Sequence, residues 1–191
     1  MAFLLEPFNS NNSNFTEIGD AADIAFDYSP PGYLRITKLT KGWGKGILET
    51  VPVVLKAGQV FSSAFTFQSN TVGNPFASDD NSNTQVGLFI TSVANQGLSP
   101  LVWGLHVHGG IMKLSNGDQT VAVFDAPVVG QQYIFTAVIK PDESIDCFLL
   151  GQGAPGFMGN IPVNVLGLFG RFVVQPYFTD VVDMNNFLFI G

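Results

Sequence analysis

The only two histidines of the chain, His106 and His108, have the spacing of a candidate metal site. They lie two residues apart in a stretch with strand-like alternation, so both side chains are expected on one face, as two ligands of one metal must be. A complete site needs further ligands. The residues four and five positions further on are Met112 and Lys113. The sequence therefore predicts a polar strand face and no metal site.

Residues 79 to 83, Asp-Asp-Asn-Ser-Asn, begin like a calcium-binding loop. Oxygen atoms at alternating positions of such a loop can converge on a hard cation. The pattern then fails at Thr84, where a glycine is needed, and at Ile90, where a glutamate would supply two oxygens. A lone loop-borne Ca²⁺ site and a plain solvated loop both remain open.

The other reactive side chains do not form a recognisable catalytic group. Asp142, Glu143 and Asp146 occupy a predicted turn and the strand after it, which indicates a solvated hairpin tip. Cys147 is the only cysteine, so no intrachain disulfide can form, and no neighbouring base would lower its pKa. It is predicted to be a buried structural thiol. With no G-x-S-x-G pattern either, we predict a protein that is not an enzyme, with no catalytic residue and no cofactor.

The glycine-rich segment 41 to 46 is the strongest candidate for an interface. Glycines on both sides of Trp43 argue against a rigid core position, and Lys41 and Lys45 keep the segment in water. An exposed Trp supplies a large contact area at low entropic cost, so Trp43 is predicted to stack on a sugar ring or enter a pocket of a protein partner. The alternative is that Trp43 folds back over the sandwich edge as a lid.

Charge is unevenly distributed around this segment. Residues 1 to 34 contain five acids and no base, whereas residues 35 to 56 contain five bases and one acid. Together with Lys41 and Lys45, Arg35 and Lys38 would suit an acidic partner surface, including the acidic residues 6 to 27 of a second copy. We therefore predict Arg35 and Lys38 as interface residues.

Two apolar features complete the candidates. The run Phe3, Leu4 and Leu5 is predicted to form either an edge strand of the same sheet or an arm that docks on another subunit. Trp103 lies in a continuous apolar stretch and is predicted to pack in the core.

Composition narrows the class of protein. The net charge of -7 over 191 residues argues against a general nucleic-acid binder, which needs clustered bases in net excess. Charged residues are only 12%, so uncharged polar side chains must cover most of the surface, as expected outside the cytoplasm or in a large assembly. The first residues do not read as a signal peptide, and no apolar run is long enough for a membrane helix. We expect a protein made in the cytoplasm without a signal peptide that works in an extracellular or other large assembly.

Alternation with a period of two recurs along the whole chain, and no segment keeps a helical stripe with caps. This pattern predicts an all-β protein, a two-sheet antiparallel β-sandwich formed as a single domain by residues 1 to 191. Two stretches rich in Gly, Asn, Pro and Ser, 70 to 83 and 151 to 168, are predicted to be surface loops. Strands are predicted near 2 to 8, 22 to 28, 33 to 39, 47 to 55, 59 to 69, 84 to 91, 100 to 108, 110 to 115, 119 to 124, 131 to 140, 144 to 150, 171 to 178 and 185 to 190.

Two segments resemble the concanavalin A-like sandwiches, a group that includes laminin G-like and glucanase-like domains. In residues 129 to 151, Gly130 and Tyr133 open a long strand, a charged turn follows, and a second strand ends on Gly151. Residues 179 to 190 resemble the closing strand of the group, which returns beside the N-terminal one. The resemblance implies a jelly-roll sandwich. The glucanase run E-x-D-x-x-E and the metal-binding acids of legume lectins are not recognisable here.

A second resemblance concerns general character. Small size, many Phe and Asn residues, few charges and one cysteine are similar to virion accessory proteins, meaning decoration, cement and fibre modules of bacteriophages. The first functional hypothesis is accordingly a non-catalytic structural or attachment module of a virion, in contact with other virion or surface proteins and with copies of itself. The alternative is a lectin-like carbohydrate-binding module, and the third is a polysaccharide hydrolase or lyase. Neither nucleic acid nor a membrane is an expected partner.

Overall fold

The structure is a computed structural model that describes residues 3–8, 14–40, 47–68, 83–94, 102–117, 119–176 and 180–191. Within these ranges every regular element is a β-strand, and no helix is long and apolar enough to cross a membrane. The strands are β1 (Phe3–Glu6), β2 (Phe15–Ile18), β3 (Ile24–Asp27), β4 (Leu34–Lys38), β5 (Ile47–Thr50), β6 (Val53–Val54), β7 (Val60–Phe67), β8 (Asn83–Thr91), β9 (Val102–His108), β10 (Ile111–Gly117), β11 (Thr120–Phe124), β12 (Gln132–Ile139), β13 (Ile145–Leu150), β14 (Gly156–Ile161), β15 (Phe169–Gln175) and β16 (Val181–Ile190).

The strands form two antiparallel sheets. Sheet A has the order β14-β13-β12-β7-β16-β4-β3, and β1 pairs with the end of β16 beyond β4. Sheet B has the order β11-β10-β9-β8-β15-β5-β2, and β6 pairs with β15. The predicted fold class, an all-β sandwich of two antiparallel sheets, is confirmed. The closing strand β16 also returns beside the N-terminal strand β1, as the resemblance implied.

Phenylalanine rings join the two sheets. Alternation turns every second side chain of a strand toward the opposite sheet, and these positions are filled by apolar residues. Phe172 of sheet B is fully buried between two rings of sheet A, with ring centroids 6.5 Å from Phe135 and 5.0 Å from Phe187. Burial of one such ring stabilises the fold by roughly 1.5–3 kcal/mol. A single cluster of buried side chains therefore spans both sheets.

Most predicted strands are present, but two observed strands were not predicted. The prediction of a surface loop over 151 to 168 is wrong for β14, which pairs with β13 across a bulge between Cys147 and Phe148 and turns Met158 and Ile161 inward. The short strand β2 was also missed, and the predicted strand 47 to 55 is divided into β5 and β6.

The N-terminal run forms strand β1 of sheet A. Phe3 pairs with Ile190 in the register of β1 with β16, which is the edge-strand arrangement of the two that were open. Leu4 packs against the core, whereas the side chain of Leu5 is more than half exposed.

Candidate binding face on sheet B

The outer face of sheet B is defined by the strand positions that alternate with the core residues. Val86 and Leu88 of β8 face the core, which turns Gln85 outward. Leu105 and Val107 of β9 face the core, which turns His106 and His108 outward. The same parity applies to β15, where Val174 is in the core, and to β10, where Leu114 is in the core. Gln175 and Lys113 therefore lie on the outer face as well.

The strand register places four of these polar residues in one line across four strands. Gln175 is the partner of Gln85, Gln85 is the partner of His106, and His106 is the partner of Lys113. We call Gln175, Gln85, His106 and Lys113 the outer row. Its three strand-to-strand intervals, each of about 4.8 Å, give it a length of about 14 Å.

Three buried polar atoms stand out, two in the outer row and one on the histidine two residues further along β9. Gln85 Oε1, Gln175 Nε2 and His108 Nδ1 are enclosed, yet none has a hydrogen-bond partner among the described residues. We call them the open polar atoms. Two are acceptors or potential acceptors and one is a donor, so the set can satisfy a ligand that both donates and accepts hydrogen bonds. Such atoms are rare in folded proteins because each costs free energy when it is left without a partner.

His106 is held in its neutral form. Burial, and to a lesser extent electrostatic repulsion by His108 and Lys113, lowers the pKa of His106 to about 4. The two imidazoles lie close together, with ring centroids 5.7 Å apart. At neutral pH, His106 can therefore both donate and accept a hydrogen bond. In the described part of the chain, no three His, Cys, Asp or Glu side chains are grouped as metal ligands would be.

A strip without side chains runs beside the outer row. Gly87 of β8 and Gly104 of β9 are register partners, and Val173 and Ser115 lie next to them on the neighbouring strands. A Cβ atom at Gly104 would lie 2.7 Å from the carbonyl oxygen of Val86, and the φ of Gly104 is 152°. A Cβ atom at Gly87 would collide with the carbonyl oxygen of Trp103. Close backbone packing thus requires both glycines, and both are buried.

An apolar cluster and an ion pair lie beyond the two glycines. Phe89, Val102 and Val173 form a small buried cluster on the outer face, separate from the main core. Arg171 Nη1 lies 3.4 Å from Glu49 Oε2, and Arg171 also donates a hydrogen bond to the carbonyl oxygen of Ala94. Burial raises the pKa of Glu49, and Arg171 opposes this effect. Polar, apolar and charged groups are therefore combined within one face.

The structure describes only some of the residues predicted for an interface. Trp43, Lys41 and Lys45 lie outside the described residues, and their role stays a prediction. Arg35 is on the outer face of sheet A, where its Nε and Nη2 donate to Asp183 at 2.7 and 2.8 Å. These hydrogen bonds raise the pKa of Arg35.

Lys38 is fully buried. Its Nζ donates to the carbonyl oxygen of Asp23 at 3.2 Å and to Thr40 Oγ1 at 3.4 Å. The prediction that Lys38 faces a partner is therefore wrong. Lys38 occupies an inward position of β4, as Leu34 and Ile36 do, so its ammonium group makes hydrogen bonds inside the protein.

Asp142, Asp146 and Cys147 have structural roles. Asp142 Oδ1 accepts hydrogen bonds from the hydroxyl and the backbone N–H of Ser144, which lower the pKa of Asp142. Asp146 pairs with Lys140 at 3.2 Å. The buried Cys147 thiol has a raised pKa because of burial and the nearby Asp146 carboxylate, as predicted for a structural thiol. Residues 79 to 82 of the calcium-like loop lie outside the described residues.

Sequence analysis identified the two histidines of this face but missed Gln85, Gln175 and Lys113 as their neighbours. The glutamines belong to no recognised motif, and the sequence of neither strand alone shows the register in which β8 pairs with β15. The available signal was parity: Gln85 and Gln175 each alternate with apolar residues, which predicts an outward position. Only the pairing of the strands shows that these outward positions meet.

Neither a protein-family model nor a curated protein sequence matches the chain. Solved structures do match over nearly its whole length. A Bacillus subtilis protein of unknown function with a galectin-like fold is similar with a TM-score of 0.60 and 10% identity, covering 97% of this chain and 94% of that one. Arcelin-5, a lectin-like defense protein from Phaseolus vulgaris, gives 0.58 and 10%, covering 98% and 96%.

The carbohydrate recognition domain of Emp47p is similar with a TM-score of 0.57 and 12% identity, covering 99% of this chain and 94% of that domain. At such low identities the likeness concerns the fold alone. Together with the two antiparallel sheets, it shows that this chain has the galectin-like, concanavalin A-like β-sandwich fold.

Proposed function

We propose that this protein is a non-catalytic carbohydrate-binding module that holds its ligand on the outer face of sheet B. The observation that carries the proposal is the presence of the open polar atoms at the outer row. A sugar hydroxyl donates and accepts hydrogen bonds, so a single class of ligand can satisfy Gln85 Oε1 and Gln175 Nε2 together. Because these atoms are enclosed, the two amide side chains must turn outward to meet the ligand, and the free energy lost by leaving the atoms without partners is then recovered.

The shape of the face supports the same proposal. Gly87 and Gly104 carry no side chains, and they lie beside a line of amide and imidazole groups. His106 and Lys113 are half-buried, so the ligand enters the outer row from this end. A row about 14 Å long suits a short oligosaccharide better than a single sugar.

The similar structures support the proposal by analogy. Arcelin-5 is described as lectin-like, and the Emp47p domain as a carbohydrate recognition domain. Folds host many functions, so the analogy raises the weight of glycan binding, and the proposal depends on the residues of this chain.

The test is glycan-array binding followed by calorimetry on the glycan that binds. Gln85→Ala and Gln175→Ala should each weaken binding about tenfold, because each removes a hydrogen bond from an enclosed site. Gln132→Ala is the matched control, since Gln132 is exposed on sheet A, and it should bind like the unmodified protein. No binding to any glycan, or equal losses in all three variants, would refute the proposal.

A structural or attachment module is the second candidate function. It is favoured by apolar side chains on the outer face of sheet A: Leu150 and Phe157 are 57% and 53% exposed, and Ile134 is the register partner of Leu150. Exposed apolar groups in contact with one another are typical of a surface that meets another protein. Sedimentation at high concentration tests this candidate, which predicts self-association that Leu150→Asp abolishes. The virion as the place of such an assembly stays a prediction.

A further inference from the structure

The Lys113 end of the outer row lies at the margin of sheet B. Lys113 of β10 is the register partner of Val123 on β11, which is the last strand in the order of the sheet. The side chain of Val123 is 58% exposed, so this end of the row is open to solvent. Lys113 itself is half-buried. A ligand that lies along the outer row can therefore reach Lys113 from the margin of the sheet.

The ammonium group of Lys113 has no carboxylate partner in the described part of the chain. Asp125, which directly follows β11, is exposed and forms no ion pair with it. Three other basic side chains are paired with carboxylates, namely Arg35 with Asp183, Lys140 with Asp146 and Arg171 with Glu49. The sequence contains 15 acids and 8 bases, so carboxylates are in excess. The positive charge of Lys113 is nevertheless left available to an anion.

The side chains around Lys113 on this face are basic or uncharged. His106 is its register partner on β9, and His108 lies two residues further along the same strand. Repulsion by His108 and Lys113 contributes to the low pKa of His106, and no carboxylate of the described chain opposes it there. Three basic side chains thus meet on one face of a protein whose net charge is -7. An anion beside Lys113 would relieve this repulsion and accept hydrogen bonds from the ammonium group and an imidazole.

We propose that the glycan held on the outer face of sheet B is acidic, and that its carboxylate or sulfate group binds Lys113 beside the two imidazoles. This inference rests on the proposed function, because it names the class of glycan that the same site takes. The amides of Gln85 and Gln175, further along the row, then bind the uncharged hydroxyl groups. The net charge of the protein repels acidic ligands at long range, so their selection depends on this local contact.

The test is an array on which acidic oligosaccharides are paired with their neutral forms. Oligogalacturonates and oligomannuronates are placed beside their methyl esters, and sulfated galactose oligosaccharides beside the same oligosaccharides without sulfate. Neutral glucose and mannose oligosaccharides complete the array. Each pair differs in charge and shares a sugar skeleton, and the two kinds of pair distinguish a carboxylate from a sulfate. We expect an acidic member to bind and its neutral form to bind at least about tenfold more weakly, because a charge-assisted hydrogen bond is lost.

Calorimetry with the strongest acidic ligand and its neutral form then tests Lys113. Lys113→Met keeps the apolar stem and removes the charge, so it should weaken binding of the acidic ligand at least about tenfold and change binding of the neutral form by less than about twofold. Lys56→Met is the matched control, because Lys56 is exposed in the turn before β7 and also forms no ion pair in the described chain. This variant should bind like the unmodified protein.

If Lys113→Met does not fold, the paired ligands still decide with the unmodified protein. Neutral forms that bind as tightly as the acidic ones would overturn this inference, and so would equal losses in Lys113→Met and Lys56→Met. In both cases the site on sheet B stands if Gln85→Ala weakens binding of the neutral ligand. Binding to no oligosaccharide of either kind would instead refute the proposed function, and this inference with it.

Discussion

Replacing Gln85 by methionine should make the protein more stable and abolish its proposed binding. Gln85 is 4% exposed, and its Oε1 is one of the open polar atoms. Methionine has nearly the same length and volume, so the substitution removes the unsatisfied amide without opening a cavity or overfilling the face. Stability and binding are thus expected to change in opposite directions.

The magnitude follows from the cost of the amide. In proteins, burying an unpaired amide costs about 1–3 kcal/mol. One atom of the Gln85 amide is enclosed without a partner, which places the expected gain at about 1–2 kcal/mol. For a chain of this length each kcal/mol moves the Tm by roughly 2–4 °C, so Gln85→Met should raise the Tm by about 2–8 °C.

Urea unfolding and thermal unfolding measure the gain, and calorimetry with the glycan found on the array measures the loss. Gln132→Met is the matched control, and its free energy of unfolding should change by less than about 0.5 kcal/mol because Gln132 is exposed. A Gln85→Met protein that is destabilised by more than about 1 kcal/mol would show that the amide has a stabilising partner. A variant that is stabilised but still binds would show that the ligand lies elsewhere.

Three further predictions concern the pH dependence, the thiol and the core. The pKa of His106 is about 4 in the folded state and 6.5 ordinarily, so the unfolded chain takes up its proton first as the pH falls. The free energy of unfolding should therefore decrease between pH 6.5 and 4, by at most about 3 kcal/mol, and urea titrations of His106→Asn should lack this decrease. Cys147 should react with a disulfide reagent only in denaturant, because its thiol is buried with a raised pKa; rapid reaction of the folded protein would contradict its placement. Phe172→Ala should lower the free energy of unfolding by about 3–5 kcal/mol, since the ring is fully buried between the sheets; a loss below about 1 kcal/mol in urea would contradict the packing.

The fold was predictable because the alternation of buried and exposed positions in a sandwich strand shows in the sequence of that strand alone. In β12 every second residue from Tyr133 to Ile139 is buried, and the sequence shows the same alternation. β14 was missed because Gly156 and Gly159 interrupt its pattern, and Phe157 points to solvent. This strand forms because the edge of β13 is available for pairing. The cause is a tertiary contact, so the residues of β14 alone do not show it.

The candidate face was predictable only in part. His106 and His108 lie on one strand, so their common face could be read from their spacing. Gln85 and Gln175 are far apart in the chain, and antiparallel pairing of β8 with β15 brings them side by side. Lys38 shows the opposite error. Its charge suggested exposure, whereas its parity with Leu34 and Ile36 predicted the buried position that the structure contains.

The two outer faces differ in how their polar groups are satisfied, and this difference supports the proposed site on sheet B. On sheet A, Asp183 accepts hydrogen bonds from both Arg35 and Gln68, and Ser62 bonds to Thr136 across two strands at 2.8 Å. Asn185, in the bulge of β16, is an exception there, since its Oδ1 is enclosed without a partner in the described chain. On sheet B two of the three open polar atoms lie in the outer row and the third lies beside it, next to a pair of glycines that the backbone requires. In most of a protein, local propensity, packing and hydrogen bonding favour the same structure. Exceptions occur mainly where a functional site requires an unfavourable local arrangement. The enclosed polar atoms of sheet B are such an arrangement. Substitutions that impair binding without impairing folding should therefore be concentrated on the outer face of sheet B.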